Sequence, residues 1–191
     1  MKFAISKLGE DIKELIISPK RFWLGKKEEE ANESLFLNYL MPLLIVLAVA
    51  VFVGDFFKRS DFFFEYPILK MIQETLLFVL QYFVGVFFTK ELMKTFGGEK
   101  NVNIARKLVA YSLIPLLLVS IITGLFEYFS ILKVLGFYSF YLFWLGAEVL
   151  VELPKEKEYK YSMMVIFVNL LTFSFLSWIL AKIFEFILFK I

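Results

Sequence analysis

The chain has no cysteine and no histidine among its 191 residues. Those two absences together remove disulfides, thiolate nucleophiles, Cys/His metal sites, histidine general bases and the Ser-His-Asp triad. Most enzyme classes fall with them. An excess of one charge is also missing. Lys and Arg number 21 against 19 Asp and Glu, a net charge of +2, so no basic field exists for nucleic acid and no such partner is expected. What fills the chain is apolar. Hydrophobic residues make up 60% and aromatic residues 19%, with 25 Phe, and the mean hydropathy is +0.73, which excludes an ordinary soluble domain.

The apolar residues fall in five runs, approximately 35–53, 67–89, 108–129, 134–151 and 163–188. Each is near the roughly 20 residues with which a helix crosses the hydrocarbon of a bilayer. This predicts an all-α integral membrane bundle of five transmembrane helices over residues 35–191, preceded by an N-terminal amphipathic and basic segment over 1–34. That segment opens with charge and does not read as a cleaved signal peptide. Within it Ile5, Leu8, Ile12, Leu15 and Ile16 share one helical face opposite Lys7, Glu10, Asp11 and Glu14. Pro19 ends this helix, and Phe22-Trp23 follow as expected membrane-interface anchors. Docking on the membrane surface and packing as a flap under the bundle both remain open.

Cations set the expected orientation. With the N terminus inside, seven cations precede the first span, five lie between spans two and three, and three lie between spans four and five. Only Lys58, Arg59, Lys70, Lys133, Lys182 and Lys190 fall on the other side, so the N terminus is expected in the cytoplasm and the C terminus outside.

Ionisable and amide side chains at membrane depth usually face a bundle interior, a cavity or the headgroups. At 100° per residue, Lys70, Glu74, Gln81 and Gly85 share a face of span two, and Ser112, Ser120, Thr123 and Glu127 share a face of span three. Tyr138, Tyr141, Glu148 and Glu152 do so in span four, and Ser162, Asn169 and Thr172 in span five. The candidate intramembrane polar stripe is therefore Glu74, Gln81, Ser112, Thr123, Glu127, Tyr141, Glu148 and Asn169. It reads either as a hydrated path or as interhelical glue worth about 0.6 kcal/mol per bond. Lys70 with Glu74 and Lys182 with Glu185 are spaced to pair within their own helices. Pro42 and Pro115, each about two turns into a span, loosen the helix there. No catalytic, cofactor or metal residues are expected.

Several segments resemble a known family. Ile16-Ile17-Ser18-Pro19-Lys20-Arg21-Phe22-Trp23 looks like its cytoplasmic entry, and Tyr39-Leu40-Met41-Pro42-Leu43-Leu44 opens span one in its manner. Ala110-Tyr111-Ser112-Leu113-Ile114-Pro115 is similar to its Gly-Tyr-Ser-x-x-Pro signature, with Ala110 in place of Gly, and residues 136–146 look like its short-turn hairpin and fourth span. This is the Yip family of polytopic membrane proteins that interact with Ypt/Rab GTPases, and the resemblance is to its prokaryotic members. It implies five spans, a cytoplasmic N terminus, the cytoplasmic (inner) membrane and no catalytic chemistry. It also makes Tyr111, Ser112 and Pro115 a helix-packing motif. The Asp-Leu-Tyr-Gly-Pro motif of the eukaryotic branch is missing, which leaves Rab-type GTPase binding outside what the resemblance implies. The expected role is a non-enzymatic scaffold, assembly or trafficking-type factor. Its partners are the lipid bilayer, a membrane or cytoplasmic protein, and a further copy of itself as an oligomer. A small transporter or channel using the polar stripe is the alternative.

Overall fold

The computed structural model describes residues 2–29, 35–58 and 64–188, without the side chains of 2–6 and 127. Arg59 and Lys190 of the cation count, the side chain of Ile5 on the amphipathic face and the side chain of Glu127 thus lie outside the described residues. Helices follow one another throughout: α1 Lys2–Ile17, α2 Pro19–Glu28, α3 Met41–Lys58, α4 Glu65–Thr95, α5 Val102–Ser112, α6 Ile114–Leu125, α7 Tyr138–Leu150 and α8 Lys155–Leu188. No strand occurs among the described residues. Among the described residues, five stretches are long and apolar enough to cross a membrane: α3 with its preceding turn, α4, α5 with α6, the run ending in α7, and α8. Large apolar side chains point outward along them. On α8, Phe167, Phe175 and Trp178 are 55%, 60% and 60% exposed, an outer surface that suits lipid and not water. The chain is a multi-pass, all-α membrane protein.

Local chemistry explains where the helices start and stop. The Asn101 side chain caps α5, accepting from the amides of Asn103 (2.9 Å) and Ile104 (3.1 Å). At the end of α4, Gly97 adopts φ +92°, and the Gly98 amide turns back to the Met93 carbonyl at 3.0 Å. The Gly97-Gly98 pair is therefore a bonded helix stop. Before Pro42, which has no amide to donate, the backbone widens into a π-helical turn over Phe36–Leu40. Near Pro115 the third span is interrupted by one residue, Leu113, which keeps right-handed helical backbone angles and its bond to the Val109 carbonyl. Leu113 separates α5 from α6, and Pro115 sits in the first turn of α6, where an amide has no helical partner to lose.

Two departures from straight α-helix shape the interior. Residues Glu127–Phe137 form 3₁₀ turns, not α-helix, so the fourth span enters the bundle with a different side-chain phase. This run returns alongside α6, where a Cβ on Gly136 would lie 2.7 Å from Leu116 Cδ1. Further along α6, the backbone meets α3 where Gly54 approaches Gly124, and a Cβ on Gly54 would fall 1.8 Å from the Gly124 carbonyl oxygen. Only glycine allows that crossing.

The N-terminal helices form a hairpin fixed against α5 and α7. Leu15 is fully buried, and Leu8 and Ile12 pack beside it. The Tyr138 hydroxyl, at the start of α7, donates to the Ile16 carbonyl at 3.1 Å. The hairpin is built into the side of the bundle and contributes to its core, as the reading of a flap packed under the bundle expects.

Candidate functional site

Three of the polar stripe residues converge. Gln81 on α4, Ser112 at the end of α5 and Asn169 on α8 line one cavity of about 200 Å³, together with Ser139 of α7 and Lys133 of the 3₁₀ run. Gln81, Ser112 and Ser139 are buried. Asn169 Nδ2 donates to the Val165 carbonyl at 2.9 Å, which directs Asn169 Oδ1 toward Gln81 Nε2, 3.2 Å away. Gln81 Nε2 also reaches the Asn169 carbonyl at 3.3 Å. This amide pair ties α4 to α8. Gly85, one turn along from Gln81, makes room for it, since a Cβ there would lie 2.6 Å from Asn169 Oδ1. The remaining walls are apolar, from Val109 and Leu113 to Phe143 and Phe173.

The other stripe residues lie elsewhere. Glu74 pairs with Lys70 at 3.0 Å on the same helix. Thr123, near the far end of α6, is half-buried and does not line the cavity. Tyr141 is 51% exposed and lies against Tyr138, ring centroids 5.5 Å apart. Glu148 is exposed beside Lys155 and Glu158 at the opposite end of α7. Tyr141 and Glu148 keep a common face on the regular helix α7, but that face is exposed, and α7 turns Ser139, Phe143 and Gly146 inward instead. The polar stripes therefore omit Ser139, and Lys133 precedes α7 in the 3₁₀ run. The signal for Ser139 was its spacing with Phe143 and Gly146, the i, i+4, i+7 face of α7, all three of them buried.

Tyr111, beside the cavity, is the hub of a second constellation. Its ring meets Phe22 (4.9 Å), Trp23 (5.7 Å) and Tyr39 (4.9 Å) edge to face. Lys26 Nζ lies 5.3 Å from the Phe22 ring centre and 5.6 Å from that of Tyr111. Phe22 and Trp23, expected at the membrane interface, are instead 2% and 0% exposed within the protein. The reason is Gly146, whose missing Cβ leaves the space that the Trp23 indole occupies. Lys26 is buried too, held by Asp11 at 3.3 Å and Glu29 at 2.9 Å. Lys107 completes the arrangement, donating to the carbonyl of Lys26 at 2.7 Å and to that of Glu29. A cation at these last carbonyls satisfies the C-terminal end of α2. Lys26 and Lys107 thus hold the fold together, although they count as cytoplasmic-side cations by sequence position. Pro115 is buried one turn beyond Tyr111.

No curated protein and no solved structure matches the chain. The family model described as the Yip1 domain does, over residues 13–184. That range runs from the last turn of α1 into the last turns of α8, and so takes in α2, the Tyr111 cluster and the cavity. The chain belongs to the Yip1 domain family.

Proposed function

We propose that the chain is a non-enzymatic membrane scaffold, an assembly or trafficking-type factor acting through lipids and partner proteins, with the α1–α2 hairpin as its working surface. The observation that carries this reading is the hairpin's two faces. One buries Leu15, Phe22, Trp23 and Lys26 in the bundle, while the other exposes Ile17 (68%) and Leu24 (53%) beside Lys20 and Arg21. Apolar residues flanked by cations suit the boundary between headgroups and acyl chains, where each cation near an anionic surface contributes about 1 kcal/mol. With the N terminus on the cation-rich side, the hairpin sits in the cytoplasmic leaflet of the inner membrane.

The dispersal of Glu74, Thr123, Tyr141 and Glu148 over separate faces favours scaffolding over a continuous transport path.

Spin labels at Ile17→Cys and Leu24→Cys in proteoliposomes test the reading on a chain that has no other cysteine. Both labels are expected to collide readily with oxygen and poorly with a water-soluble nickel reagent. Replacing Lys20, Arg21 and Lys27 by Gln should weaken that shielding in anionic vesicles and leave it unchanged in neutral ones. Labels fully open to the nickel reagent in both vesicle types would defeat the proposal.

A further inference from the structure

The cavity between α4, α5, α7 and α8 concentrates unused hydrogen-bonding capacity. Gln81, Ser112 and Ser139 all line it, and Gln81 Oε1, Ser112 Oγ and Ser139 Oγ have no partner among the described residues. The residues are 3%, 5% and 6% exposed. Buried polar atoms in native proteins are nearly always satisfied, by protein, water or ligand. The direction of Gln81 follows from its neighbour. Because Asn169 Nδ2 is committed to the Val165 carbonyl, Asn169 Oδ1 receives Gln81 Nε2, and Gln81 turns its oxygen away from that pair. An amide oxygen can only accept, whereas a serine hydroxyl can donate and accept. The partner these atoms require must donate a hydrogen bond to Gln81 Oε1, while the serine hydroxyls can either donate to it or accept from it.

Water meets that need only at these atoms, since a buried water takes about 2–4 polar partners and the rest of the wall is apolar. The volume of about 200 Å³ exceeds the roughly 150 Å³ with which an apolar protein cavity stays dry and takes up benzene. We propose that this cavity binds a hydroxyl-bearing apolar molecule of the membrane phase, a long-chain or isoprenoid-type alcohol. Its hydroxyl donates to Gln81 Oε1 and accepts from Ser112 or Ser139, and its apolar body lies along Phe143 and Phe173. Lys133, also lining the cavity, has no ion pair among the described residues and invites a fatty acid as the rival ligand. A carboxylate cannot donate to Gln81 Oε1, which decides for the alcohol. The inference does not depend on the hairpin reading.

The test uses the full chain in nanodiscs with Leu170→Cys, a cavity-lining position that leaves the polar residues intact. The rate of modification by a membrane-permeant maleimide is measured against 1-decanol, decane and decanoate. Saturable slowing by 1-decanol alone is expected. Gln81→Leu and, separately, Ser139→Ala in that background should each weaken the 1-decanol effect roughly fivefold, the usual share of one hydrogen bond. Ser139→Ala leaves the Gln81–Asn169 tie in place, so it carries the test if Gln81→Leu does not fold. Equal protection by decane would mean an apolar void only, and stronger protection by decanoate, lost on Lys133→Gln, would mean an acid site. Either result, or no protection by 1-decanol, overturns the proposal.

Discussion

At the scale of single residues, burial separates side chains that the sequence presents as alike. Lys26 and Lys27 are adjacent cations, yet Lys26 is buried between Asp11 and Glu29 while Lys27 is exposed. Lys26→Gln should therefore cost roughly 1–3 kcal/mol, as a hydrogen-bonded charge loses its partner. Lys27→Gln should stay within about 0.5 kcal/mol, with thermal unfolding in detergent distinguishing the two. Glycines divide in the same way. A Cβ on Gly54 would strike the Gly124 carbonyl, so Gly54→Val should destabilise by about 1–3 kcal/mol. Gly25 in α2 has open space around its Cβ direction, and Gly25→Ala should be neutral or stabilising by up to about 1 kcal/mol. At Gln81 the prediction concerns water. With apolar walls around the amide pair, Gln81→Cys in native membranes should resist a water-soluble thiol reagent that labels Glu99→Cys. Labelling at both positions would indicate an aqueous path and revive the transport reading.

At the scale of elements, the amphipathic pattern of α1 was legible, because Leu8, Ile12 and Leu15 recur at helical spacing and all three pack inward. The surface it packs on was not. That surface is assembled from Tyr111 on α5 and Gly146 on α7, 35 positions apart in the chain, and no local pattern links them. Trp23 is the anchor, and Trp23→Ala should cost about 3–5 kcal/mol. The loss should be local. Proteolysis and hydrogen exchange should accelerate across α1 and α2 while the spanning helices stay protected. Uniform acceleration along the whole chain would show that the hairpin is not a separable element. The polar stripe of span four illustrates the same limit. Tyr141 and Glu148 do share a face of α7, yet packing turns the opposite face, with Ser139 and Phe143, toward the bundle.

At the scale of the whole molecule, α4 and α8 contain 31 and 34 residues, well beyond the roughly 20 that hydrocarbon requires. Their ends carry charge: Lys70 with Glu74 and Lys182 with Glu185 at one end, Lys90 and the residues 155–160 at the other. Such helices emerge from the bilayer on both sides. The sidedness proposed from the cation count can be checked without fusions. Glu99→Cys and Glu156→Cys should react from the same side of sealed vesicles, and Tyr128→Cys, fully exposed at the start of the 3₁₀ run, from the other. Reaction of all three from one side would contradict five crossings with the N terminus inside.

The sequence by itself determined what a bilayer demands of any chain: five runs of sufficient length and apolarity, helical because no other open structure satisfies its backbone in lipid. Composition and spacing carry that information locally. Tertiary structure alone decided which polar groups meet. Gln81 and Asn169 are 88 positions apart and bond only because α4 and α8 pack with Gly85 between them. Ser112 and Ser139 reach the same cavity because α5 and α7 pack against each other. Periodicity reports the face of a helix. Which faces come together depends on breaks, turns and glycine contacts that only the packed bundle brings into register.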